Sequence, residues 1–260
     1  MRRTLRELPE SLDETYERIL KEIKKPNRDL ARRVLQCLVV ATRPPRVAEL
    51  AEVLAVDFDD REGIPRLNSD WRWEDQEQAL LIACSSLIAI VEAGDVKAGK
   101  SDLASTSGDS DHDIEAGDPR VVQFSHFSVK EFLTSSRLVD AGGEVSNFYI
   151  DLVPAHMTLA QACLGVLLQI KDDVEGHTRK DHPLARYAAE HWTTHAQFGE
   201  VSSRLHKGME YLFDANKPHF MVWLTLCDID NDYDNDDSIF YGFYPSAISP
   251  AGPLYYAALC

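Results

Sequence analysis

Along most of this chain the apolar residues recur at helical spacing, and only two short runs read as strands. In residues 8–25, Leu12, Tyr16, Ile19, Leu20 and Ile23 form one apolar stripe, the signature of an amphipathic helix with one face buried. Pro9 and Ser11 are helix-start residues, acids crowd the first turn, and Lys21, Lys24 and Lys25 close the segment before Pro26-Asn27. A second helix runs from about Arg28 to Ala41 on Leu30, Ala31, Val34, Leu35, Leu38 and Val39. It stops before Arg43-Pro44-Pro45-Arg46, because a residue preceding proline is pushed out of the α region. A short third helix covers Val47 to about Val56. After an irregular stretch at 57–73 with Trp71 and Trp73, a fourth spans Glu74 to about Cys84.

The strand-like runs are Leu87-Ile88-Ala89-Ile90-Val91-Glu92 and Val121-Val122-Gln123-Phe124, the latter extended through Phe127 by its pattern of apolar positions. Between them Ala93 to Pro119 is rich in Gly, Ser and Asp and carries seven acids against two lysines, which reads as a disordered or mobile loop. Ser128-Val129-Lys130-Glu131 then has the form of a capping box, with Phe132, Leu133 and Ser136 following at helical spacing. Three helices and two strands joined by an insertion, with a helix behind them, form the layout of a winged-helix domain, here residues 28–140 with a long acidic wing at 93–119.

From about Asp151 only helices are expected. Val153–Ile170 carries Leu159, Cys163, Val166, Leu167 and Ile170 on one face, and Pro183–Phe198, Val201–Ala215 and His219–Cys227 follow. Pro154, Pro183 and Pro218 sit at or near helix starts. The fold class is thus mainly α with a small β-hairpin: a winged-helix domain followed by a helical, α-solenoid-like arm over 151–245.

Composition narrows the function classes. At 260 residues, 44% hydrophobic and 27% charged, the chain can bury a sizeable core and is globular in type. No run of eighteen apolar residues occurs, so no membrane partner is expected, and Met1-Arg2-Arg3-Thr4-Leu5-Arg6-Glu7 lacks the apolar core of a secretory signal. Five scattered cysteines, Cys37, Cys84, Cys163, Cys227 and Cys260, read as buried free thiols of a reducing, cytoplasmic compartment. The net charge is −16, yet residues 1–50 are net +4 by the sequence, leaving about −20 for the rest. Such acidity opposes a nucleic-acid backbone. The helix that would enter a major groove, Glu74 to Cys84, has three acids and no base.

Candidate chemistry centres on His126. A strand that turns abruptly into a helix would hold this imidazole beside free helix N-terminal amides, where a phosphate could be recognised; the plainer alternative is a strand-end histidine bonded to backbone. His191 and His195 have the i, i+4 spacing of metal ligands, but no glutamate follows the first and no third ligand is evident, so an amphipathic helix with edge histidines is the expectation and no metal site is assigned. The run Asp228 to Asp237 lacks the glycine and the terminal glutamate of a calcium loop and reads as a solvated acidic loop. No GxxxxGK[ST], GxSxG, HExxH or CxxC motif occurs, so no catalytic residues are assigned.

Three segments in this order, Leu8-Pro9-Glu10-Ser11-Leu12-Asp13-Glu14-Thr15-Tyr16-Glu17-Arg18-Ile19-Leu20, Val122 through Leu133, and Pro183-Leu184-Ala185-Arg186-Tyr187-Ala188-Ala189-Glu190-His191-Trp192, resemble the region that follows the NACHT nucleotide-binding domain in fungal STAND-type signalling NTPases. The winged helix looks like the one named after GPI inositol-deacylase, a label of similarity that implies no deacylase activity. The resemblance implies that residues 1–27 are a linking helix from a NACHT domain upstream of this chain, and that 249–260, with Pro253-Leu254-Tyr255-Tyr256-Ala257-Ala258-Leu259, begins an ankyrin-like repeat.

In such switches the histidine of an H-x-S-x-x-E motif faces the β-phosphate of bound ADP and holds the inactive state closed. His126, Ser128 and Glu131 match that motif. The expected function is therefore a non-enzymatic regulatory and interaction fragment with no cofactor of its own, whose partners are a NACHT domain, in cis or in trans, and other proteins. The alternatives are a stand-alone protein-interaction adaptor and a DNA-binding winged-helix regulator.

Overall fold

A computed structural model describes residues 12–58, 64–84, 86–93, 119–170 and 181–227. The molecule is mainly helical with small antiparallel strand pairs. The expectations for residues 1–11, for nearly all of the loop between the two longer strands, for the acidic run 228–237 and for the ankyrin-like segment 249–260 lie outside the described residues. The chain forms two compact units: Met1–Val56 with Asn68–Leu159, and Asp57–Leu67 with Ala160–Cys260.

In the first unit, α1 is Leu12–Glu22, α2 Arg28–Val40 and α3 Val47–Leu54. Between α3 and α4 the chain passes through the second unit, which holds β2, Arg66–Leu67, with β1, Val56–Asp57, at the crossing. Then come α4 at Gln76–Cys84, β3 at Ile88–Glu92, β4 at Arg120–Phe124, α5 at Phe127–Leu133 and α6 at Ser136–Asp140. The apolar stripe read on α1 is buried only in part: Tyr16, Leu20 and Ile23 are covered, whereas Leu12 is 61% exposed. On α2, Ala31, Val34 and Leu35 are fully buried, and this face packs on α3 and α4. Each buried leucine or valine there removes enough apolar surface from water to contribute about 1.5–3 kcal/mol.

β3 and β4 pair antiparallel, with Ile88 opposite Phe124 and Glu92 opposite Arg120. A two-stranded hairpin is marginal by itself in water. Here the proline-stiffened segment before α3 lies against β4: Arg46 bridges Val121, and the Val122 amide donates to the Pro45 carbonyl at 2.8 Å. Pro45-Arg46 thus supplies a third backbone to the hairpin.

Two acids on α3, Glu49 and Glu52, are each only 3% exposed, an arrangement that requires cationic partners. Arg43 meets Glu49 with both guanidinium nitrogens, at 2.8 and 2.7 Å, and Arg72 meets Glu52.

The structure corrects the expected course of the chain after β4. Phe127 does not extend the strand: it opens α5 and is 71% exposed. Nor does one helix run on through Ser136. The hydroxyls of Thr134 and Ser135 donate to the carbonyls of Lys130 and Phe132, at 3.0 and 2.9 Å, so the last turn of α5 is satisfied locally and α6 starts anew. It ends at Gly142 and Gly143, both at positive φ, where glycine avoids the cost borne by a residue with a Cβ.

α7, Leu152–Leu167, begins in the first unit and ends in the second. The second unit continues with α8, Ala185–Ala196, α9, Val201–Leu212, and α10, His219–Cys227. Leu159, Cys163, Val166, Leu167 and Ile170, the face read from spacing, are all buried. The core of α8 to α10 is aromatic. Trp192, Phe213, Phe220 and Trp223 lie with ring centroids 5.7 to 6.2 Å apart, within the range of favourable edge and tilted pairs. The Trp223 indole donates to the Ala189 carbonyl at 3.1 Å. Among the described residues no helix is long and apolar enough to cross a membrane.

Candidate functional site

His126 stands where β4 gives way to α5. The Ser125 amide closes the strand end on the Leu87 carbonyl at 3.0 Å. His126 itself is extended, at φ −153° and ψ 146°, and Phe127 is the first helical residue. His126 is therefore the N-cap, and its ring Nδ1 accepts from the Ser128 amide at 3.2 Å. The expected capping box between Ser128 and Glu131 is not formed. With the helix starting at Phe127, Ser128 sits at the second helical position, whose amide is the one that a cap engages. Glu131 falls too far along the helix to reach back to the start, and its side chain is exposed.

A second correction concerns the amides. The Val129 amide donates to the His126 carbonyl at 3.1 Å, so both the Ser128 and Val129 N–H groups are already used by His126. The cradle of free amides expected beside the imidazole is closed at these two positions. What remains is the imidazole itself: His126 is exposed, and no described residue holds its Nε2.

Ser128 is the hub behind the ring. Its Oγ lies 2.6 Å from His126 Nδ1 and 2.7 Å from the phenolic oxygen of Tyr16. Tyr16 is buried on α1, with its ring 5.5 Å from that of Phe132. Arg137 to Asp13 at 2.7 Å ties α1 to α6, and Arg28, the first residue of α2, and Lys25, between α1 and α2, pair with Glu144 at 2.8 and 3.7 Å. Tyr16 is the residue of this site that sequence reasoning missed. It was legible only as one member of an apolar stripe, because spacing within a helix carries no information about a partner 112 positions away. On the other flank Phe127 lies against the imidazole, with ring centroids 4.3 Å apart.

The pair at metal-ligand spacing has other partners. His195 is fully buried, with Nε2 3.0 Å from the Tyr187 hydroxyl. His191 meets the Tyr187 ring edge-on at 4.7 Å and lies 3.6 Å from the Glu190 carboxylate. Tyr187 thus engages both rings. Among the described residues no group of three or more His, Cys, Asp or Glu is placed to hold a metal ion. Of the cysteines, Cys37, Cys84 and Cys163 are buried free thiols, while Cys227 is only partly covered, short of the burial expected for it. Burial pushes the thiols of Cys37 and Cys84 up to about 12.

No family model matches this chain, and no solved structure matches it. A protein of Monascus ruber named azaphilone pigments biosynthesis cluster protein L is 30% identical to it over 266 residues. The match takes in 98% of this chain and 49% of that protein. The chain therefore spans about half the length of the curated relative it matches.

Proposed function

We propose that this chain is a non-catalytic regulatory and interaction segment of a NACHT-type STAND signalling protein, in which a winged helix packs on a nucleotide-binding domain and senses its nucleotide state. One observation carries the reading: His126 stands exposed at the exit of a strand pair preceded by three helices, with its Nδ1 edge tied down and its Nε2 edge unengaged among the described residues. A ring N–H donor held in that way suits a phosphate oxygen of ADP bound to another domain, and contact with it would couple nucleotide state to domain closure. The element order α2, α3, α4, β3, β4 and the Pro45-Arg46 strand segment agree with a winged helix. The absence of nucleotide-binding and catalytic motifs from the sequence agrees with a sensor rather than an enzyme, and the same reading places it in the cytoplasm. The Monascus protein's name ties that protein to a pigment biosynthesis cluster; for this chain, control within such a cluster is the corresponding setting.

The test is ADP retention by this chain fused to, or mixed with, a NACHT domain. His126→Ala is expected to lower retention about tenfold or more, the cost of losing one hydrogen bond to a charged group. Unchanged retention sinks the sensor role. The exposure of Trp71 and Trp73, at 49% and 43%, favours a second reading, a protein-interaction adaptor, which the same experiment would leave standing. DNA binding is opposed by the acidic start of α4, and mobility-shift titration at physiological salt is expected to give none.

A further inference from the structure

The hydrogen bonds behind His126 form a directed chain that begins on another helix. Nδ1 lies 3.2 Å from the Ser128 amide, a group that can only donate, so the nitrogen facing it must carry a bare lone pair. The Ser128 hydroxyl, 2.6 Å from the same nitrogen, then also donates to it. A hydroxyl that gives its proton to Nδ1 has lone pairs free, and the Tyr16 phenol at 2.7 Å fills one of them by donating to Ser128 Oγ. Every partner has one consistent role, and the ring proton of the neutral imidazole is left on Nε2. The reverse polarity, with a proton on Nδ1, would set two N–H groups against each other.

We propose that Tyr16 is a positioning residue for His126: acting through the Ser128 hydroxyl, it fixes the imidazole as the tautomer protonated on Nε2 and so presents a single outward donor. Tyr16 belongs to α1 and is packed against Phe132, so the relay makes the state of the His126 donor depend on α1 being seated. The tautomer stands on this geometry alone. Its use as a donor to a phosphate rests on the function proposed above.

The experiment reads the tautomer in the full chain, without nucleotide. Two-bond proton–nitrogen correlation of the histidine rings is recorded on the 15N-labelled protein in alkaline buffer, where histidine side chains are neutral, and His126→Gln assigns the His126 signals by their loss. The native protein is expected to show the Nε2-protonated pattern. Tyr16→Phe keeps the ring packing and removes only the hydroxyl, and it is expected to raise the ratio of Nδ1-protonated to Nε2-protonated ring roughly threefold or more. Ser128→Ala should do the same. Asp13→Asn, which loosens the attachment of α1 without altering the relay's own groups, should shift the ratio in the same direction by less. A Tyr16→Phe spectrum with the native ratio overturns the proposal, whether or not Ser128→Ala changes it, and so does a native protein protonated on Nδ1. A shifted tautomer combined with unchanged ADP retention in the His126→Ala fusion would instead sink the sensor reading and leave the relay intact.

Discussion

Arg43 grips Glu49 with both terminal guanidinium nitrogens, at 2.8 and 2.7 Å, while the same carboxylate accepts from the Arg46 amide at 2.7 Å. The acid is 3% exposed, and Arg46 is the residue that bridges β4 at Val121. One side chain therefore caps the start of α3 and steadies the backbone that lies beside the hairpin. Arg43→Ala leaves a buried carboxylate with one partner fewer. Its expected cost is about 2 kcal/mol, below the range for a fully buried pair because the arginine side chain is 33% exposed. Arg43→Lys keeps the charge but not the two-pronged geometry, and should fall between the two. Urea denaturation curves of the three proteins check the order.

Gly165 lies inside α7, where alanine would ordinarily be favoured by about 0.5–1 kcal/mol. A Cβ there would stand 2.9 Å from the Pro65 carbonyl oxygen and 3.2 Å from its carbon. Backbone cannot yield as a flexible side chain does, and overpacking of this kind costs about 1–3 kcal/mol. The close approach outweighs the helix preference. Gly165→Ala is expected to lower the melting temperature, and a raised one would show that the segment at Pro65 moves freely.

Stability should fall with acid in two stages of known sign. The hydrogen bond from Arg28 holds the Glu144 carboxyl below its ordinary 4.5, with the Arg28 charge adding to it. For His156, burial lowers the ring below its ordinary 6.5, and the nearby Lys130 charge acts in the same direction. In both cases the unfolded chain binds protons more readily than the native one, so stability rises with pH across each window. The His156 contribution is complete above about pH 6.5 and is lost as pH falls from there toward its lowered native value. The Glu144 contribution is complete above 4.5 and is lost as pH falls through its own lowered value. Glu144→Gln should flatten the lower stage and His156→Gln the upper one, as read from denaturation midpoints across pH.

Thiol reactivity should follow burial. Cys37 and Cys84, pushed up to about 12 by desolvation, hold almost no thiolate at neutral pH, and thiolate is the reactive form. Cys227 is partly exposed. Alkylation at neutral pH followed by peptide mass analysis should label Cys227 at least about tenfold faster than Cys37 and Cys84. Equal rates would mean that the native first unit opens on the labelling timescale.

The helices and the strand pair were legible in the chain because each is encoded by local spacing. The stripe on α2, the buried face of α7 and the two apolar runs that became β3 and β4 fall where their periodicity places them. The motif around His126 was legible as residues but not as geometry. Ser128 followed three positions later by Glu131 is a sound capping signal, yet the cap is His126, because the pairing of β4 with β3 ends at Phe124 and sets where α5 begins. The extent of the hairpin is decided by residues outside the local window.

The sequence by itself determined most of the helical segments, that the chain is acidic, and that His126 stands at a strand-to-helix junction. Only the tertiary structure decided what each polar group meets. Tyr16 became the partner of Ser128, and Arg72 became the partner of the buried Glu52. The physical reason is range. A helical period repeats within a few residues and can be read directly, whereas a hydrogen-bond partner is chosen by packing that brings distant segments together.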